Sequence, residues 1–172
     1  MSDLSTLIRD VPDFPKKGII FKDITTLIKE PEAFKEVIDT FVRRYKDKSI
    51  TKVVGIESRG FIFASVLAYA IGAGVVMVRK PGKLPAETIS ETYELEYGTD
   101  SVEIHTDAIS KGENVVVIDD LLATGGTLAA TCTLVERLEG RIVEVATLIE
   151  LAFLKGREKI KGYPYFTILS VD

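Results

Sequence analysis

From Pro31 to Asp47 the apolar residues Phe34, Val37, Ile38, Phe41, Val42 and Tyr45 recur at helical spacing, and Pro31 suits a first turn. A short apolar run follows, Val53-Val54-Gly55-Ile56, then a polar turn, Glu57-Ser58-Arg59-Gly60. From Gly60 to Val78 no residue is charged. That length could nominally span a bilayer. Gly72-Ala73-Gly74 divides it, however, into a helix-length piece and a β-branched run, Val75-Val76-Met77-Val78, so a buried helix feeding a buried strand is the expectation.

A second unit of the same kind starts at Val115. Val115-Val116-Val117-Ile118 is continuously apolar, as in a strand covered on both faces. A helix is expected from about Thr127 to Leu138, ending at Gly140, and a strand from Ile142 to Ile149. Two strand–helix–strand units predict an α/β fold, with a central parallel sheet, right-handed crossovers and helices on both faces. Between the units, Thr88 to His105 reads as a hairpin turning at Tyr97-Gly98-Thr99-Asp100. Val11 to Ile24, with two prolines and a glycine, reads as irregular.

The chain has 172 residues, 46% hydrophobic and 28% charged, which suits one domain and excludes disordered classes. Its net charge of −4 argues against a nucleic-acid partner. The N-terminus shows no secretory signal. A single cysteine, Cys132, excludes an internal disulfide and fits a cytoplasmic location. The only histidine, His105, sits among strand-like residues, so Cys132 reads as a packed thiol and His105 as an ordinary strand residue.

The densest chemistry lies in VVVIDDLLATGGT, Val115 to Thr127. Ligands of open parallel sheets bind beyond the carboxyl ends of the strands, where Asp119 and Asp120 are expected. The loop Ala123-Thr124-Gly125-Gly126-Thr127 opens into a helix. Its glycines let the backbone close around an anion, its threonines supply hydroxyls, and the helix N-terminus adds partial positive charge. It reads as a phosphate cradle beside two carboxylates suited to ribose hydroxyls or a divalent cation. A capped strand-to-helix turn is the plainer alternative. No GK[ST] follows and no G-x-G-x-x-G is present, so neither a P-loop nor a dinucleotide fingerprint is indicated.

This motif resembles the ribose-phosphate motif of the type I phosphoribosyltransferases. FPKKGIIFKDIT near the start, GIESRGFIF in the middle and RKPGKLPAETISETYELEYG thereafter narrow the resemblance to the adenine phosphoribosyltransferase family, over almost the whole chain. The resemblance implies one phosphoribosyltransferase domain over 1–172, with a hood over about 1–30, a core over about 31–172 and a mobile hairpin lid over about 80–105. It implies transfer of a phosphoribosyl group from phosphoribosyl pyrophosphate to adenine, giving AMP and pyrophosphate, in a homodimer.

By the same resemblance, Asp119 and Asp120 hold the ribose hydroxyls near a magnesium ion carried by the substrate, and Ala123 to Thr127 wrap the 5′-phosphate. Ser58 and Arg59 face the pyrophosphate on a turn that holds a cis peptide in relatives. Arg79, Lys80 and Lys83 attract the same group, although alone they read equally as a solvated basic turn. Glu96 on the lid is the favoured proton-transfer group and Tyr97 closes over the site. In the hood, Phe21 stacks on the purine while the backbone at Ile20 and Lys22 pairs with its edge; many relatives carry arginine at the position of Lys22. A transferase for 6-oxopurines or orotate, a regulator that senses phosphoribosyl pyrophosphate, and a non-catalytic phosphate-binding module are the competing readings. The adenine-type hood, the acidic charge and the intact lid with Glu96 argue against each in turn.

Overall fold

In the computed structural model residues 3–95 and 97–172 are described, and the chain divides after Thr40 into two compact units. The N-terminal unit opens with a 3-10 turn, Leu4–Leu7. Strand β1 (Arg9–Pro12) then pairs antiparallel with β2 (Ile20–Asp23), followed by the short helix α1 (Thr25–Ile28) and the start of α2 (Pro31–Tyr45). The segment expected to be irregular is so from Asp13 to Ile19, while its two ends pair as a β-ribbon. Its prolines do not oppose pairing: Pro12 ends a strand of a two-stranded ribbon, and Pro15 sits in the loop. Asp13, at φ 57°, reverses the chain, and its carboxylate accepts from the Gly18 N–H at 2.7 Å. Opposite charges face each other across the ribbon, Arg9 against Asp23 at 2.5 Å and Lys22 against Asp10 at 2.7 Å.

The second unit carries a five-stranded parallel sheet in the order β4-β3-β7-β8-β9. Its strands are β3 (Lys52–Ile56), β4 (Gly74–Val78), β7 (Asn114–Leu122), β8 (Arg141–Leu151) and β9 (Tyr165–Val171). Helix α3 (Gly60–Ile71) links β3 to β4, and α4 (Gly126–Arg137) links β7 to β8. The uncharged stretch splits at Gly72, which caps α3 in the left-handed region, and among the described residues no helix is long and apolar enough to cross a membrane. Val53, Val54, Val115 to Ile118, Val145, Ala146, Leu148 and Ile149 are fully buried, as strands covered on both faces require. Burying each large aliphatic side chain stabilises the fold by about 1.5–3 kcal/mol. The polar–apolar pattern predicted no element beyond Ile149. β9 was hidden because it is a half-buried edge strand reached through two 3-10 turns.

The hairpin consists of β5 (Thr88–Glu94) and β6 (Thr99–His105), paired in register from Thr88↔His105 to Glu94↔Thr99. It turns two residues earlier than expected, with the Leu95 N–H donating to the Gly98 carbonyl at 2.9 Å. Gly98, at φ 85°, closes the turn, so Thr99 and Asp100 already belong to β6. Val102 and Ile104 are core residues, and Arg79 exchanges two backbone hydrogen bonds with Glu103, fixing the hairpin base to the end of β4.

Candidate active site

The sheet has uneven strand ends. β3 pairs with β7 only as far as Gly55↔Ile118, whereas β7 runs on beside β8 to Leu122. Asp119 and Asp120 therefore lie in the last part of β7, past the last residue that it pairs with β3. The continuing ladder with β8 holds their backbone while the missing β3 leaves room beside them.

That room is a cavity of about 310 Å³, lined by Ser58, Arg59, Arg79, Lys80, Asp119, Asp120 and Thr127, among others. Arg59 Nε stands 2.7 Å from Asp120 Oδ2, and Asp120 is only 4% exposed. Asp119 Oδ1 accepts from the Asp120 N–H at 2.9 Å. Burial raises the proton affinity of both carboxylates; the neighbouring charge of Asp120 adds to the effect on Asp119, and Arg59 opposes it on Asp120. The turn before Arg59 contains a cis Glu57–Ser58 peptide. Glu57 accepts from Arg79 Nη2 and from the Lys80 backbone N–H, each at 2.8 Å, and the Lys80 N–H is the main reason its carboxyl is held below the usual range. Lys80 Nζ pairs with Asp100 and donates to the Tyr93 hydroxyl at 3.0 Å. Among the described residues, Arg79 Nε is a buried donor without a hydrogen-bond partner.

A second, smaller cavity of about 80 Å³ shares Asp119 and Thr127 with the first and is lined by the loop Leu121 to Leu128. Gly125 caps α4 at φ 84°, a backbone that only glycine adopts without strain. The first N–H groups of α4 have no partner within the helix, so the cavity faces unpaired donors and the positive end of the helix dipole. Thr127 Oγ1 donates to the Tyr93 hydroxyl at 3.1 Å, linking the loop to the hairpin. A Cβ at Gly126 would stand 2.8 Å from Tyr93 Cδ2, and one at Gly60 2.9 Å from Asp119 Oδ1, so both glycines serve close approach.

The phosphoribosyl transferase domain model matches residues 23–171. Over 170 residues the chain is 58% identical to the adenine phosphoribosyltransferase of Geobacter metallireducens, covering 99% of each. The chain belongs to the adenine phosphoribosyltransferase family. Among solved family structures, that from Thermoanaerobacter pseudethanolicus matches with TM-score 0.95 at 50% identity, covering 98% of both chains. That from Saccharomyces cerevisiae, complexed with an imino-altritol bisphosphate and adenine, matches with TM-score 0.92 at 44% identity and 97% of both chains.

Of the residues assigned to phosphoribosyl pyrophosphate, the fold brings Ser58, Arg59, Arg79, Lys80, Asp119, Asp120 and the loop Ala123 to Thr127 around the two adjoining cavities. Lys83 does not line either; its side chain is exposed and its carbonyl accepts from Arg79. Tyr97 lies on the hairpin turn, 79% exposed. Glu96 lies outside the described residues. Ile20, Phe21 and Lys22 lie on β2 in the N-terminal unit, where Phe21 meets Phe14 edge to face and Lys22 pairs with Asp10. His105 Nε2 accepts from the Ala86 N–H, and burial pushes the Cys132 thiol up to about 12; both residues have structural surroundings.

Sequence reasoning missed Glu57, Tyr93, Asp100 and Gly60. Glu57 and Gly60 stand inside GIESRG, where a carboxylate next to a basic turn could have been suspected. Tyr93 and Asp100 carried no signal, because their partner Lys80 is 13 and 20 residues distant.

Proposed function

We propose that the chain transfers the 5-phosphoribosyl group of phosphoribosyl pyrophosphate to adenine, giving AMP and pyrophosphate. The observation that carries this reading is the pair of cavities sharing Asp119 and Thr127, one lined by backbone donors and the other by cations. A ribose spanning that shared edge has its 5′-phosphate in the loop 123–127 and its pyrophosphate against Ser58, Arg59, Arg79 and Lys80. Displacement of pyrophosphate by a purine nitrogen leaves positive charge on the sugar and negative charge on the leaving group. The basic side stabilises the second, and the buried Arg79 Nε is a ready donor to it. Asp119 and Asp120 accept the ribose hydroxyls.

Two adjacent carboxylates with one arginine between them suit a magnesium ion carried by the substrate, which would lie near Asp119 and Asp120. Magnesium supplies neutralisation of the pyrophosphate charge.

Glu96 is the proposed acceptor of the proton that adenine loses, and Tyr97 the residue that covers the site as residues 80–105 act as a lid. In the hood, Phe21 is the proposed stacking surface. The backbone groups of Ile20 and Lys22 are two residues apart and point to one strand edge, suited to the edge of a purine. The exposed Val66, Tyr69, Val75 and Met77 on α3 and the edge strand β4 support a homodimer; Tyr69 is 90% exposed. The lone buried cysteine supports a cytoplasmic location.

The test offers purified protein phosphoribosyl pyrophosphate, magnesium and one base at a time, and identifies the nucleotide by mass. AMP is the expected product; comparable turnover of hypoxanthine overturns the adenine assignment. Glu96→Gln should slow the chemical step roughly 100- to 10,000-fold in single-turnover kinetics, and near-parent rates would reduce Glu96 to an orienting contact.

A further inference from the structure

We propose that Glu150 and Arg157 are positioning residues for the phosphate loop and act on it through Gly156. The inference rests on the reading of residues 123–127 as the 5′-phosphate cradle.

Gly156 packs against the loop and lines neither cavity. A Cβ at Gly156 would run into the Ala123 carbonyl and approach Leu122 Cδ1 to 2.8 Å. The contact is reciprocal, since a Cβ at Gly125 would run into the Gly156 carbonyl. Two stretches of backbone are thus in direct contact, and the second is not part of either cavity's lining. Gly156 is not among the residues with positive φ, so its backbone conformation is open to any residue. Only the close approach demands glycine there.

Something must hold Gly156 in place, because residues 152–160 form two 3-10 turns outside the sheet ladder. Ile160, fully buried, anchors the far end. At the near end stands Glu150, on β8 directly opposite Leu122, the last residue of β7 before the loop. Glu150 is 4% exposed, and a buried carboxylate needs a partner. Arg157 supplies a two-pronged one: Nε at 2.6 Å from Oε1 and Nη2 against Oε2. Its guanidinium also faces the Tyr165 ring on β9, 4.9 Å from the centroid. The residue next to Gly156 is therefore tied to the strand that flanks the start of the loop. Several backbone N–H groups must converge on one phosphate, and displacements near 1 Å spoil such convergence. The pair touches no substrate atom in this scheme; it fixes the backbone that does.

The test measures binding of ribose 5-phosphate and, separately, of magnesium pyrophosphate to the full-length protein by calorimetry, beside the KM for phosphoribosyl pyrophosphate. Gly156→Ala should weaken ribose 5-phosphate roughly 10- to 100-fold and raise that KM in step. Pyrophosphate binding should stay within about twofold, because its contacts are side chains elsewhere. Arg157→Gln should show the same pattern more weakly. Arg157→Lys should restore only part of the loss, because an ammonium cannot reproduce the fork. Unchanged ribose 5-phosphate binding in both Gly156→Ala and Arg157→Gln, or equal weakening of both ligands, overturns the proposal. If Gly156→Ala fails to fold, the two Arg157 variants decide it by the same criteria. Gly125→Ala separates the premise from the inference. If it leaves ribose 5-phosphate binding intact, the cradle reading fails; if it alone abolishes binding, only the buttress fails.

Discussion

The two adjoining cavities are made of different material. The loop side, residues 121–128, is backbone: N–H groups at the start of α4 that have no partner within the helix, a left-handed Gly125, and a second backbone at Gly156 packed against it. The basic side is made of long side chains, and each cation already has an acid, Arg59 with Asp120, Arg79 with Glu57, Lys80 with Asp100. A backbone cradle needs no reorganisation to receive an anion. A set of ion pairs must exchange internal partners for the incoming charge, or share them. The first design gives a fixed reference point for one phosphate. The second can hold a polyanion, release it as product, and keep its cations from repelling one another meanwhile.

The comparison is broken most severely by Gly125→Ala. The substitution combines a strained φ with collision against Gly156, and kcat/KM for phosphoribosyl pyrophosphate should fall roughly 100-fold in steady-state assays. Magnesium pyrophosphate should still bind. Arg79→Ala does the reverse: pyrophosphate affinity should fall roughly tenfold, the scale of one charged hydrogen bond, while ribose 5-phosphate binding holds. Arg79→Lys should recover only part of it. Equal loss of both ligands in either variant would mean that the two sides are not separable.

Tyr93→Phe sharpens the boundary between the sides, because the hydroxyl receives both Lys80 Nζ and Thr127 Oγ1. Its removal should cost about 1 kcal/mol of stability in denaturant melts and change affinity for phosphoribosyl pyrophosphate only about two- to threefold.

The smallest effect concerns protons. Asp119 and Asp120 titrate above their unfolded value of 3.8, so the stability linked to them is present below that value and lost as pH rises through the folded ones. Glu57 and Asp100 titrate below their unfolded values of 4.5 and 3.8, so their contribution is present above those values and lost as pH falls through the folded ones. Asp119→Asn should therefore raise the melting temperature at neutral pH by about 2–4 °C for each kcal/mol relieved, with the gain fading toward about pH 4. A melting temperature unchanged across that range would mean that the aspartate pair stores no charge strain.

Much of the sheet was legible along the chain. Val53–Ile56 and Val115–Ile118 are runs that only a strand covered on both faces explains; Val75–Val78 reads the same way along the chain but forms the edge strand β4, with Val75 and Met77 exposed, so its expected burial holds on one face only. Asp119 to Thr127 announces a ligand at a strand-to-helix turn. These signals are local: each element's burial is written in its own residues, and a glycine-threonine loop carries its chemistry within five positions. The N-terminal ribbon was less legible, because prolines that discourage strands are harmless at a strand end and in a loop. The hairpin was found but its turn misplaced, since Thr99 and Asp100 suit a turn by composition and a strand by pairing with Glu94 and Tyr93.

The sequence by itself determined the α/β order and the places of the glycine-threonine loop and the basic turns. Only the tertiary structure decided that β7 outruns β3 and so opens the cavity. It also decided which acid holds which cation, and that Gly156 stands against Gly125, 31 residues earlier in the chain. The physical reason is that hydrophobic burial and turn chemistry are properties of short segments. Strand register, ion-pair partners and backbone contacts belong to pairs of segments, and exist only once the sheet has brought them together.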